Sequence, residues 1–223
     1  MASRKPLIVA NWKMNTTPNE GEKLAQTISE GVIESTHILD VVICPPFTGI
    51  MEVRSALSET RLSVGAQTAS AANNTALTGE ISVAILSQMV THVIIGHSER
   101  RTILGESDKL IATKAIALGS VDLTSILCIG ESIDQRQAGH PAKDVVNQLN
   151  SSLDGFENWD RLVVAYEPLW AIGTGIPASP LDVQDITYSI RDGLRKLAGG
   201  KRSGQIKTTA EHFPAGAFNK ARR

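Results

Sequence analysis

The chain has 223 residues, enough for one domain with a substantial core, and its 22 Lys and Arg against 23 Asp and Glu leave a formal charge of −1. That balance argues against a nucleic-acid partner, and no run of like charge reads as an interaction tail. No apolar stretch approaches the ~18 residues that a membrane span needs, and the N-terminal apolar run is too short for a signal peptide. Cys44 and Cys128 lie in apolar runs without a C-x-x-C partner, so they are expected to be buried free thiols in a reducing, cytoplasmic setting. His37, His92, His97, His140 and His212 show no metal-ligand spacing, and no metal is expected.

In chain order, Pro6 to Ala10 reads as a strand that delivers Asn11-Trp12-Lys13-Met14-Asn15 at its C-terminal end. From Pro18 onward, Leu24, Ile28 and Val32 fall four apart, which predicts a helix with these residues on its apolar face. Val41 to Cys44 is a second strand, closed by Pro45-Pro46, and Ile50, Val53 and Leu57 mark the next helix. Leu62 to Ala66 is a third strand, followed by a polar loop from Gln67 to Gly79 and a short helix from Ile81 to Met89. Val93 to Ile95 is a fourth strand ending in Gly96-His97-Ser98-Glu99-Arg100-Arg101.

Ser107 then caps a helix whose apolar face carries Leu110, Ile111, Ala115 and Leu118. Ser125 to Ile129 is a fifth strand ending in Gly130-Glu131, and Val145, Val146, Leu149 and Leu153 face inward from the following helix. The sixth strand, Leu162 to Tyr166, runs directly into Glu167, and Pro168 prevents it from continuing. An apolar loop, Leu169 to Ile172, ends in Gly173-Thr174-Gly175. A loop that apolar is expected to close over something, with glycine backbone at its far end able to approach an anion. Ser179, Pro180 and Asp182 start one more helix, with Val183, Ile186, Ile190, Leu194 and Leu197 along one face.

Strand and helix alternate six times, and no strand alternates apolar with polar, so the sheet is expected to be parallel and covered on both faces. A doubly wound open sheet and a (β/α)₈ barrel both satisfy that pattern. Asn11, Lys13, His97, Glu131 and Glu167 all follow C-terminal strand ends, which in a barrel share one face, and this favours the barrel over residues 1–223 as a single domain. The glycines after Ile172 also fit G-x-G-x-x-A, but Gly173 lies seven residues past Tyr166, too far from the strand for a dinucleotide turn.

An acid at a strand end beneath a closing loop suits proton abstraction. Lys13 offers a permanent positive charge to a phosphate or a developing oxyanion. His97 precedes a short helix start, where its protonated form is disfavoured and the neutral ring can donate a hydrogen bond. Glu99 with Arg100 reads as a structural ion pair or a subunit contact, and Glu131 as a salt-bridge partner.

Taken together, Asn11-Trp12-Lys13-Met14-Asn15, Gly96-His97-Ser98-Glu99-Arg100-Arg101, Cys128-Ile129-Gly130-Glu131 and the run from Ala165 to Gly175 closely resemble the triosephosphate isomerase family over about residues 5–200. The resemblance implies interconversion of dihydroxyacetone phosphate and glyceraldehyde 3-phosphate. It makes Glu167 the base, His97 the neutral electrophile and proton shuttle, and Lys13 and Asn11 the groups that hold substrate. It further implies a lid from Pro168 to Thr174 with the Gly173 N–H on the phosphate, no cofactor, and a homodimer formed through the loop from Gln67 to Glu80.

After Gln205 the chain departs from the family pattern, so residues 206–223 form an atypical tail and strands seven and eight are not recognisable. A Tyr-Gly-Gly-Ser run and a later Gly-Gly pair, which would supply phosphate ligands, are absent from Ile206 to Arg223. On this reading the barrel is incomplete, its strand edges invite aggregation, and turnover is low. The alternatives are an impaired barrel serving as a binding protein, or another phosphosugar enzyme on the same fold.

Overall fold

The computed structural model describes residues 4–73, 75–172 and 177–210. Strand β1 (Leu7–Asn11) is followed by helix α1 (Pro18–Val32), β2 (Asp40–Cys44), α2 (Ile50–Ala56), β3 (Ser63–Ala66), the single turn α3 (Val83–Leu86) and β4 (His92–Ile95). Then come α4 (Ser98–Thr102), α5 (Asp108–Gly119), β5 (Thr124–Ile129), α6 (Ile133–Gln137) and α7 (Pro141–Ser152). The order closes with β6 (Leu162–Tyr166), α8 (Pro180–Ala198), α9 (Gly200–Ser203) and β7 (Lys207–Ala210). The chain folds as two compact units, one of Met1–Ile95 with Thr113–Ile126, the other of Gly96–Ala112 with Leu127–Arg223.

In the first unit β1, β2, β3 and β4 pair in that order, all parallel, with Val9 opposite Val42, Ile43 opposite Val64 and Gly65 opposite His92. The N–H of Thr124 donates to Thr91 O at 2.9 Å and starts β5 beside β4. Four of the five residues of β2 are buried in succession, without alternation, as a strand covered on both faces requires. Each fully buried side chain here, such as Ile43 or Ile50, contributes about 1.5–3 kcal/mol.

Helix α1 corrects the expected face. Gly21, Ala25 and Ser29 are its buried residues, whereas Leu24 is exposed. The reason is close approach: a Cβ on Gly21 would already lie 3.3 Å from Trp12 and 3.5 Å from Val53 of α2. Large side chains do not fit that contact, so Ile28 and Val32 flank it. Helix α5 shows a smaller displacement of the same kind, with Ile111, Ala115 and Leu118 buried but Leu110 exposed.

In the second unit β6 is buried along its whole length and pairs in parallel with β7, from Val163 opposite Lys207 to Tyr166 opposite Ala210. A seventh strand is therefore present, one that the sequence pattern does not make recognisable. Lys207-Thr208-Thr209-Ala210 has no apolar run, but its two threonines are β-branched and suit a pleated surface, and β6 offers a complete ladder. Helix α7 buries Val145, Leu149 and Ser152, and α8 buries Ile186, Ile190, Gly193 and Leu194. The start of α8 is a capping box: Ser179 N–H donates to Asp182 Oδ2 at 3.0 Å, and Asp182 N–H donates to Ser179 Oγ at 3.2 Å. Cys44 and Cys128 are buried thiols outside any disulfide, as expected.

Candidate active site

In the second unit, β6 ends at Tyr166 and places Glu167 at its C-terminal end, 1% exposed. The Glu167 N–H donates to Ile129 O of β5 at 2.8 Å. That approach demands Gly130, because a Cβ there would sit 1.8 Å from the Glu167 carbonyl oxygen. Gly96 turns the chain out of β4 at φ +67°, a left-handed conformation that favours glycine, and His97 follows as the N-cap of α4.

The ring of His97 and the carboxylate of Glu167 meet, Nε2 standing 3.1 Å from Oε1 with both side chains buried. The other ring nitrogen fixes the tautomer. Nδ1 accepts the Glu99 N–H at 3.2 Å, so it carries a lone pair, and the ring proton belongs on Nε2. Ser98 completes the arrangement: its N–H donates to Glu167 Oε2 at 2.9 Å and its hydroxyl lies 3.4 Å from Oε1. A buried carboxylate held by an N–H and faced by a neutral imidazole can take a proton from carbon while the imidazole donates to oxygen.

Glu131 does more than form a salt bridge. Wholly buried, its Oε1 accepts from Arg136 Nη1 at 3.1 Å, Tyr166 OH at 2.9 Å and Trp170 Nε1 at 2.9 Å. Burial first, and then the charge of Glu131, push the Tyr166 hydroxyl well above its ordinary pKa. Arg136 also lies over the Trp170 ring, 4.1 Å from its centre, and pairs with Asp182 at the start of α8. Trp170 belongs to the short turn Leu169–Ala171. Gly173 lies outside the described residues. Arg100 pairs with Glu106 at 2.6 Å, and the Glu99 carboxylate stands 3.5 Å from His97 Nδ1.

Asn11 and Lys13 belong to the first unit. Asn11 is the last residue of β1, and its Oδ1 accepts the Lys13 N–H at 3.1 Å. Lys13 holds φ at +53°, a strained value for a residue with a side chain. Gln67 secures the turn by donating from Nε2 to Lys13 O at 2.8 Å and to Cys44 O at 2.9 Å. Ser98 and Gln67 were not singled out from sequence. Ser98 could have been, since an N-terminal helix turn next to His97 offers its N–H groups to an anion. Gln67 carries no local signal.

Parallel β/α units that bring a buried histidine and a buried carboxylate together at strand ends have a geometry suited to proton transfer, as in enzymes. A family model described as triosephosphate isomerase matches residues 6–208. The triosephosphate isomerase of Mycobacteroides abscessus is 43% identical over 211 residues, covering 92% of this chain and 81% of that protein. Those of Roseiflexus sp. and Mycobacterium marinum are also 43% identical, over 88% and 97% of this chain and 78% and 84% of their own length. The chain belongs to the triosephosphate isomerase family, and with it to the α/β barrel fold class.

Proposed function

We propose that the chain interconverts dihydroxyacetone phosphate and glyceraldehyde 3-phosphate through an enediolate. The observation that carries this reading is the buried His97–Glu167 pair at 3.1 Å, in a chain of this family. The Glu167 carboxylate takes a proton from the carbon beside the carbonyl. The C–H electron pair becomes the carbon–carbon double bond, and the carbonyl π pair moves onto oxygen. Neutral His97 donates from Nε2 to that oxygen as charge develops and passes protons between the two enediolate oxygens. Glu167 then returns its proton to the neighbouring carbon. Atoms and electrons balance within the substrate and two side chains, so the scheme calls for no cofactor.

By resemblance to the family, Lys13 and Asn11 hold the substrate and offset its charge, and the Gly173 N–H meets the phosphate beneath a lid. Excluding water there protects the enediolate from losing phosphate. A homodimer through the loop from Gln67 to Glu80 fits the exposed Leu77 and Ile85, apolar surface that a second copy would cover. Cytoplasmic residence is inferred from the buried thiols outside any disulfide. Among the described residues no helix is long and apolar enough to cross a membrane.

A coupled turnover assay on the whole chain tests the reading. Glu167→Gln should lower kcat by the ~10²–10⁴-fold typical of a lost general base, with KM changed much less. A folded wild-type chain without turnover would instead favour a barrel that binds without catalysing.

A further inference from the structure

Arg101 lies one turn after His97 and grips the backbone on both sides of it. Its own N–H donates to His97 O at 3.1 Å, and its Nε donates to Gly96 O at 2.6 Å. The guanidinium continues to a second strand end, where Nη2 donates to Cys128 O at 3.1 Å. Its remaining contacts are spent on a buttress: Nη1 donates to Asp108 Oδ1 at 2.5 Å, and Nη2 to Ser152 Oγ at 3.1 Å. Ser152 in turn donates to the same Asp108 oxygen at 2.9 Å and is wholly buried. The Arg101 side chain is 12% exposed, so these contacts are shielded from competing water.

What the guanidinium joins is more specific than general packing. The Gly96 carbonyl belongs to the peptide that enters His97. The Cys128 carbonyl belongs to the peptide that enters Ile129, and Ile129 O receives the Glu167 N–H at 2.8 Å. Gly130 then carries the Glu167 backbone in contact. The histidine is thus one peptide from a carbonyl that the cation holds, and the Glu167 backbone is one peptide and one hydrogen bond from a second carbonyl on the same planar cation. A guanidinium fixes the spacing of such acceptors because its donors lie in a rigid fork. An ammonium at this position has three rotatable donors but no rigid fork, so it cannot fix the spacing of the two carbonyls.

We propose that Arg101 is a positioning residue that sets the His97–Glu167 spacing through the carbonyls of Gly96 and Cys128. It touches none of the reacting atoms in this account. The proposal rests on the roles given above to His97 and Glu167, but one of its readouts does not. A displacement of about 1 Å between reacting groups is enough to cost ~10²-fold in rate, so a small relaxation at this fork is amplified in turnover.

The test compares Arg101→Lys with the wild-type chain in three measurements: kcat and KM with triose phosphate, the thermal midpoint, and the ¹⁵N and ¹H signals of the His97 imidazole. The expected result is a kcat lowered by ~10–100-fold, KM within about threefold, and shifted His97 ring signals at a temperature where the variant is fully folded. Unchanged kcat with unchanged His97 signals overturns the proposal. So does a lowered thermal midpoint with His97 signals unmoved, which marks a merely structural arginine. If Arg101→Lys does not fold, Ser152→Ala takes its place, removing the hydroxyl that braces the guanidinium. A fall in kcat at constant KM with moved His97 signals then supports the proposal, and neither change overturns it. If the wild-type chain shows no turnover, the isomerase reading fails, while the His97 signals still decide whether Arg101 positions the ring.

Discussion

The two regions proposed to carry the chemistry are held in place by different means. Around His97 and Glu167 the side chains are buried, and their geometry is set by backbone: a glycine that admits a carbonyl, an N–H on each partner, a guanidinium across two carbonyls. Around Lys13 the side chains are half-buried, the backbone itself is strained, and Asn11 and Gln67 hold it with single hydrogen bonds. Burial fixes the His97–Glu167 pair, whereas a few polar contacts restrain the backbone of the Lys13 turn. A pair that must meet within a fraction of an ångström needs the first kind of support. A charge that acts over several ångströms tolerates the second.

The sharpest way to break that contrast is Gly130→Ala. The added methyl carbon would occupy the Glu167 carbonyl, and backbone cannot rotate out of the way as a side chain can. Unfolding free energy should fall by at least the ~1–3 kcal/mol of an overpacked core, and turnover should fall with it. Denaturant melts beside kcat would register both, and a variant near wild type in each would mean that the β5–β6 strand ends yield easily.

Gln67→Ala probes the other region and should do less. Two carbonyls, those of Lys13 and Cys44, lose their shared donor, but the site is half-buried and water can replace part of it. A loss of ~1 kcal/mol in stability is expected, with KM rising more than kcat falls. The reverse split, kcat falling at constant KM, would assign the Lys13 turn a role in the chemical step instead of in holding substrate.

The smallest expected effect lies at the start of α8. The Ser179 hydroxyl, then its N–H, and the nearby Arg136 hold Asp182 below its ordinary pKa despite some desolvation. A lowered pKa stabilises the fold above the ordinary aspartate value near ~4, and that contribution disappears as pH falls through the folded-state value. Asp182→Asn should therefore cost about 0.5 kcal/mol at neutral pH and flatten the acid side of the stability curve. An acid limb identical to wild type would remove Asp182 from the list of groups that drive it.

How much of this was legible beforehand follows from the range of each signal. Five apolar residues before Glu167-Pro168 could hardly be anything but a buried strand, and the strand end dictates where the carboxylate stands. The face of α1 was misread because periodicity registers large apolar side chains, while the buried contact selects small ones for distance of approach. Strand β7 is not recognisable from sequence because four residues without an apolar run carry no pattern; its partner, β6, supplies the reason for it to form. Ser98 reaches Glu167 across 69 residues, and Gln67 reaches Lys13 across 54. The partner in a contact of that span leaves no trace in local sequence, although the helix turn at Ser98 does mark N–H groups open to an anion.

Trp170 has a consequence of another kind. Its indole is pinned between opposite charges, the Arg136 guanidinium over the ring and the Glu131 carboxylate at the N–H. A chromophore in a fixed field of that sort has its absorption and emission displaced along the field, and the displacement changes when either charge moves relative to the ring. The turn at Leu169–Ala171 therefore carries its own gauge. Without any attached dye, the colour of one indole reports where that piece of backbone stands.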